Sequence, residues 1–242
     1  MLLRKMVFTI VLTLAIASFP GASQSEVVTS RWNQSAVIND DGTVSMDLQA
    51  EIQNSAGFIL DGFRIVVPAS KVTPSSDFNT TDFGGTLTVE TKAVAGGTEL
   101  TVYFNRKPAT GQTWNGRVHY EAEGWAKKEG EKLVLQADLS PPVVFNQSNS
   151  MTAKFADGSR GINIALPRAY EFSYKSVPSW KTAFQYSRIK AIWIDTGLAG
   201  NNSLKVEAVY SELLGRIVAM QDAIAMTERK AADMEKTGVD VG

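Results

Sequence analysis

The residues able to do acid–base or metal chemistry in this 242-residue chain are few and scattered. His119 is the only histidine, and there is no cysteine. In the segment Arg117–Glu121 that histidine lies out of phase with Val118 and Tyr120 and shares a face with Arg117 and Glu121. One imidazole and no thiolate leave no soft-ligand set for zinc or copper, so only an all-carboxylate metal site stays open. Asp40, Asp41 and Asp157 stand at or next to Asp-Gly pairs, which are turn residues first, and neither stretch has the ligand spacing of a calcium loop. No serine sits in a nucleophile elbow that His119 could serve as base. Glu121, Glu123, Asp195 and Glu207 would supply the paired carboxylates of a glycoside hydrolase only if a sheet brought two of them together. Charges on the outer faces of strands need no such role. The chain is therefore expected to be noncatalytic, with no catalytic residue, no metal and no cofactor.

The aromatic residues point to recognition more than the titratable ones point to catalysis. Tyr103 lies between Val102 and Phe104, and Trp193 between Ile192 and Ile194, so both faces of each strand are apolar or aromatic. One face must meet a core. The other is open to a loop, a neighbouring domain or a partner, and aromatic rings offer much contact area at small entropic cost. Trp32, Trp114, Trp125 and Trp180 read first as core residues, with a platform for stacking sugar rings as the alternative. The expected interaction surface comprises Tyr103, Trp193, Trp114 and Trp125, with Leu213, Ile217, Met220 and Ile224 near the C-terminus.

Strands must position these side chains. Val44, Met46, Leu48, Ala50 and Ile52 alternate with Ser45, Asp47, Gln49 and Glu51, the period of a half-buried strand. Phe58–Val67 is a more evenly apolar strand ended by Pro68, and residues 69–82 read as a long polar loop. Glu99–Asn105 and Gln112–Glu121 read as the two strands of a hairpin. The pattern returns when Tyr120 is placed over Tyr210: Val118 then falls on Ala208, Trp114 on Leu204, Phe104 on Ile194 and Tyr103 on Trp193. Ser140-Pro141-Pro142 breaks the strand pattern and suits a linker. The expected fold is all-β: two tandem antiparallel β-sandwich domains, immunoglobulin-like or related, over residues 24–139 and 140–211.

From Leu213 the period changes. Leu213, Ile217, Met220, Ile224, Thr227, Ala231 and Met234 follow a heptad-like spacing, which predicts an amphipathic α-helix over 212–237. Glu228, Arg229, Lys230, Asp233 and Glu235 exclude a membrane span there. The helix either packs back on the second sandwich, associates with a second copy, or docks on a membrane protein.

At the other end, Arg4 and Lys5 precede an apolar run from Met6 to Ala17, followed by Pro20 and small residues. This is the order of a secretory signal peptide, expected over residues 1–23, and the run is shorter than the ~20 residues that cross a bilayer. The chain is expected in the periplasm, at the cell surface or outside the cell. With 24 Lys and Arg against 25 Asp and Glu, no basic surface marks it for nucleic acid. The combined expectation is an exported envelope protein serving as a structural or protein-binding module, whose partner is an envelope or membrane protein or a second copy. A carbohydrate-binding or adhesive sandwich is the alternative, with a glycan as ligand, and a carboxylate-based hydrolase is a third reading.

Overall fold

Alternating apolar and polar residues build the strands of the computed structural model, which describes residues 26–76, 79–198 and 200–236, apart from the side chains of Val28 and Thr196. The expected signal peptide at residues 1–23 lies outside the described residues. In chain order the first strands are β1 (Val27–Ile38), β2 (Val44–Asn54), β3 (Gly62–Val67), β4 (Lys71–Pro74), β5 (Thr81–Asp82), β6 (Gly85–Thr86), β7 (Thr88–Val94), β8 (Gly97–Tyr103) and β9 (Thr113–Glu123). They continue as β10 (Lys127–Glu129), β11 (Lys132–Asp138), β12 (Val143–Phe145), β13 (Ser150–Thr152), β14 (Lys154–Phe155) and β15 (Arg160–Ala165). The last are β16 (Tyr170–Lys175), β17 (Lys181–Gln185), β18 (Arg188–Ile194) and β19 (Ser203–Tyr210), with a short helix α1 (Asp195–Leu198) and a long helix α2 (Glu212–Lys236). The fold is thus largely β-stranded, with one long helix at its C-terminal end.

Three sheets form. The largest has ten strands in the order β17-β18-β15-β1-β2-β9-β5-β6, with β14 also paired to β1 and β4 to β9. A second runs β13-β12-β3-β8-β7, and a third β10-β11-β19-β16. Trp193, Ile162, Gln34, Leu48 and Val118 align in one row across β18, β15, β1, β2 and β9, and all five are buried. Side chains opposite one another in a ladder share a face, so the large sheet has a single continuous inner face. The second sheet covers one end of it: the Phe63 ring on β3 meets Trp32 edge-on at 5.5 Å and Trp114 at 5.9 Å. The third covers the other end, where Phe172 on β16 meets Trp193 edge-on at 6.3 Å. The result is two layers, one a long sheet and the other two shorter sheets side by side.

This pairing differs from the expected tandem arrangement. β15 runs parallel to β1, β12 pairs with β3, and β19 pairs with β11, so every sheet contains strands from both sides of Ser140. One buried cluster joins all of them. Residues 140–211 therefore do not build a separate sandwich with a core of its own. The prolines at 141 and 142 interrupt a ladder but do not dictate where later strands pair. Extending an existing apolar face removes more surface from water than starting a small new core.

The expected hairpin is also corrected. β8 lies in the second sheet and β9 in the large one, and β18 and β19 are likewise divided between two sheets. Each pair is an arch between layers. In the first arch the polar backbone of the crossing is held by Asn54, whose amide nitrogen donates to the Phe58 and Pro108 carbonyls at 2.9 Å each, while its oxygen accepts from the Ala56 N–H at 2.9 Å. Phe104 and Trp114 then stack across the layers at 4.3 Å. The loop expected over 69–82 contains β4 and β5, both added to the edge of β9.

The helix α2 begins after Ser211, whose carbonyl accepts from the Gly215 N–H at 2.9 Å. Gly215 looks like a poor helix residue, but a Cβ there would sit 2.2 Å from the Tyr210 hydroxyl. Val218 is the one buried side chain on the helix. Arg168 pairs with Asp222 at 2.7 Å and the Ser187 hydroxyl with Gln221 at 2.7 Å, fastening its first half to the sheets.

Candidate functional site

The tryptophans expected at an interaction surface are core residues. Trp193 is fully buried and donates its indole N–H to the Val177 carbonyl at 2.9 Å. Trp114 donates to Asp82 at 2.9 Å and Trp125 to the Gln136 carbonyl at 2.8 Å, and both are buried. Trp32 is buried too, so Trp180, at 66% exposure, stands alone as an outward tryptophan. Coplanar exposed indoles for a sugar platform are absent among the described residues. Tyr103 does face outward, over the edge of Phe145 and hydrogen-bonded to Glu90 at 3.0 Å. It is not equivalent to Trp193: with both neighbours apolar, alternation identifies two faces without saying which one is inward.

The helix residues come out differently. Leu213, Met220 and Ile224 are exposed at 68%, 66% and 57%, and Ile217 is half-buried. Val218 and Gln221 turn toward the sheets instead, which leaves most of the apolar row beside the contact rather than in it. Among the described residues no helix is long and apolar enough to cross a membrane.

The titratable candidates do not converge. Glu121 and Glu123 lie on β9, Asp195 in α1 and Glu207 on β19. Glu123 pairs with Lys71 at 2.6 Å, Asp195 with Arg160 at 2.8 Å, and Glu207 with Lys132 at 2.7 Å and Lys205 at 2.9 Å. The hydrogen bonds from Lys132 and Lys205 hold the Glu207 carboxyl below its usual pKa. His119 lies opposite Asp47 on the half-exposed face of the large sheet, where Arg117 grips Asp47 with two nitrogens. Asp41 accepts from the backbone and hydroxyl of Thr43, which lower its pKa and close the turn. No group of three or more His, Asp or Glu among the described residues could hold a metal ion.

One carboxylate that sequence did not single out is the most heavily bonded. Asp82 accepts from Trp114 Nε1 at 2.9 Å, Gly84 N at 2.7 Å, Asn105 N at 3.0 Å and Asn105 Nδ2 at 3.1 Å. Partial burial opposes its ionisation, but these four donors outweigh that and lower its pKa. It ties the β5–β6 turn to β9 and to the end of β8, a structural anchor between layers.

One concave feature lies where the three sheets meet, a cavity of about 290 Å³. Trp32, Gln34 and Tyr120 line it from the large sheet, Ile65 and Val67 from the second, and Trp125 from the segment leading into the third. Gln34 was legible as an anomaly, since it occupies the apolar phase of β1 with Trp32, Ala36 and Ile38.

No protein-family model matches the chain, and no curated protein matches it. Among solved structures it is similar to the M1 zinc metallopeptidase from Deinococcus radiodurans, at 13% identity and a TM-score of 0.47, over 79% of this chain and 44% of that one. A point mutant of that peptidase bound to a Tyr-ser-ala substrate gives 11% identity and a TM-score of 0.46 over the same shares. The chain spans less than half the length of these structures. At such values the likeness assigns neither family nor activity.

Proposed function

We propose that this chain is an exported, noncatalytic envelope module that holds a partner protein, or a second copy of itself, through α2. The observation that carries the reading is the helix itself: 25 residues long, it buries Val218 and leaves Leu213, Met220, Ile224 and Met226 exposed. Large apolar side chains grouped on one element are favourable binding surface, because covering them removes each from water at ~25 cal/mol per Å². The β layers supply a rigid base, and the export step rests on Arg4, Lys5 and the apolar run that follows them.

The test is removal of residues 213–234, followed by light scattering for mass and cell fractionation for envelope association. Loss of association or of oligomeric mass, with β-sheet circular dichroism retained, is the expected result. If neither property changes, α2 is only a packing element and the reading fails.

A further inference from the structure

The cavity at the junction of the three sheets combines an apolar wall with polar side chains that the protein leaves unbonded. Gln34 is 8% exposed, Tyr120 1% and Trp32 3%. Gln34 and Tyr120 make no side-chain hydrogen bond among the described residues, nor does the Trp32 indole N–H. Their polar atoms are not sealed off: among the described residues the fully buried side-chain atoms without a partner are Thr29 Oγ1 and Ser159 Oγ, so these three are open to water or a ligand through the cavity. All three residues line this one cavity. Phe in place of Tyr120 and Met in place of Gln34 would remove these groups with little change of shape.

We propose that this cavity is a binding site for a small uncharged aromatic molecule bearing one amide or carbonyl group. The size follows from the volume: at the ~30 Å³ that a water molecule occupies in the liquid, 290 Å³ corresponds to about ten waters, room for one ring with a short polar group. The ring follows from the walls, where Trp32 and Trp125 offer flat indoles and Ile65 and Val67 complete an apolar lining. The head group follows from the donors and acceptor supplied. Gln34 presents both an N–H₂ and a carbonyl oxygen, and Tyr120 and Trp32 each present a donor. Burial pushes the Tyr120 phenol well above its ordinary pKa, so it stays a neutral donor. The absence of charge follows from the lining, which carries Glu99 and Asp138 against the single cation Arg64, itself placed over the Phe145 ring at 4.4 Å. A carboxylate would enter against two like charges with one cation to offset them, and an amide would not.

The probe is phenylacetamide, titrated into the full chain by calorimetry and by tryptophan fluorescence, with phenylacetate and ethylbenzene as comparators. Saturable binding of phenylacetamide, at least tenfold tighter than phenylacetate, is expected. Tyr120→Phe and Gln34→Met should each weaken phenylacetamide about tenfold, one hydrogen bond's worth, and leave ethylbenzene within twofold. Ile65→Phe, which fills the cavity, should abolish binding of both. Thermal unfolding of each variant checks the fold, and Gln34→Met, nearly equal in size to the residue it replaces, carries the test if Tyr120→Phe does not fold. The proposal is overturned if phenylacetamide does not bind up to its solubility, if phenylacetate binds as well, or if Gln34→Met leaves phenylacetamide affinity unchanged.

Discussion

Replacing Asp82 with Asn tests whether the layers are held where the hydrogen bonds place them. Each carboxylate oxygen accepts two bonds: Oδ1 from Gly84 N and Asn105 Nδ2, Oδ2 from Asn105 N and Trp114 Nε1. An amide keeps one oxygen and sets an N–H₂ against two N–H donors, so two bonds are lost whichever way it turns. Hydrogen bonds to a charged acceptor contribute ~1.5–3 kcal/mol each, and partial solvent access at the turn favours the lower figure. The expected destabilisation is about 3 kcal/mol in urea titration. For a chain of this size that lowers the melting temperature by roughly 6–12 °C. The pH dependence adds a second check. The folded-state pKa of Asp82 is depressed, so its contribution is fully present above the unfolded value near ~3.9 and is lost as pH falls through the lower folded value. The gap between the native protein and Asp82→Asn should be constant from pH 7 to 5 and narrow below about pH 4. A gap under ~1 kcal/mol at pH 7, or one that widens in acid, would refute the reasoning.

Other substitutions probe the core and the interior polar groups. Trp193→Ala should cost ~3–5 kcal/mol by urea titration, since the ring is fully buried, whereas Trp180→Ala at 66% exposure should fall within ~0.5 kcal/mol of the native protein. Thr29→Val should be neutral or stabilising by up to ~1 kcal/mol, because the Thr29 hydroxyl is buried without a partner and the new side chain has nearly the same shape. Gly62→Ala should destabilise by at least ~2 kcal/mol, as its Cβ would stand 2.0 Å from the Val102 carbonyl oxygen in the facing strand; an unchanged melting temperature would show that β3 and β8 can separate freely.

Much of the local structure was legible. The alternation from Val44 to Ile52 predicted β2 and its buried face, and the change of period after Tyr210 predicted α2 close to its observed limits. One histidine without cysteine already removed the soft-metal sites, whereas Gln34 in the apolar phase of β1 is an anomaly that does not by itself say what lies beside it. The Asp82 anchor was not readable, because its donors come from Gly84, Asn105 and Trp114, which only the arch between layers brings together.

Sequence by itself determined which residues share a face, where strands give way to a helix, and how little titratable chemistry is present. These properties depend on spacings of two to four residues, which the backbone geometry of a strand or helix translates directly. Tertiary structure alone decided which strands pair and which face turns inward. Tyr103 and Trp193 occupy matching places in the repeated pattern, yet one is outward and the other is fully buried. The difference arises because β8 belongs to a short covering sheet and β18 to the long one, so their faces meet different neighbours. Pairing of β15 with β1 joins segments far apart in the chain, and its reward is a continuous apolar face that no local window contains.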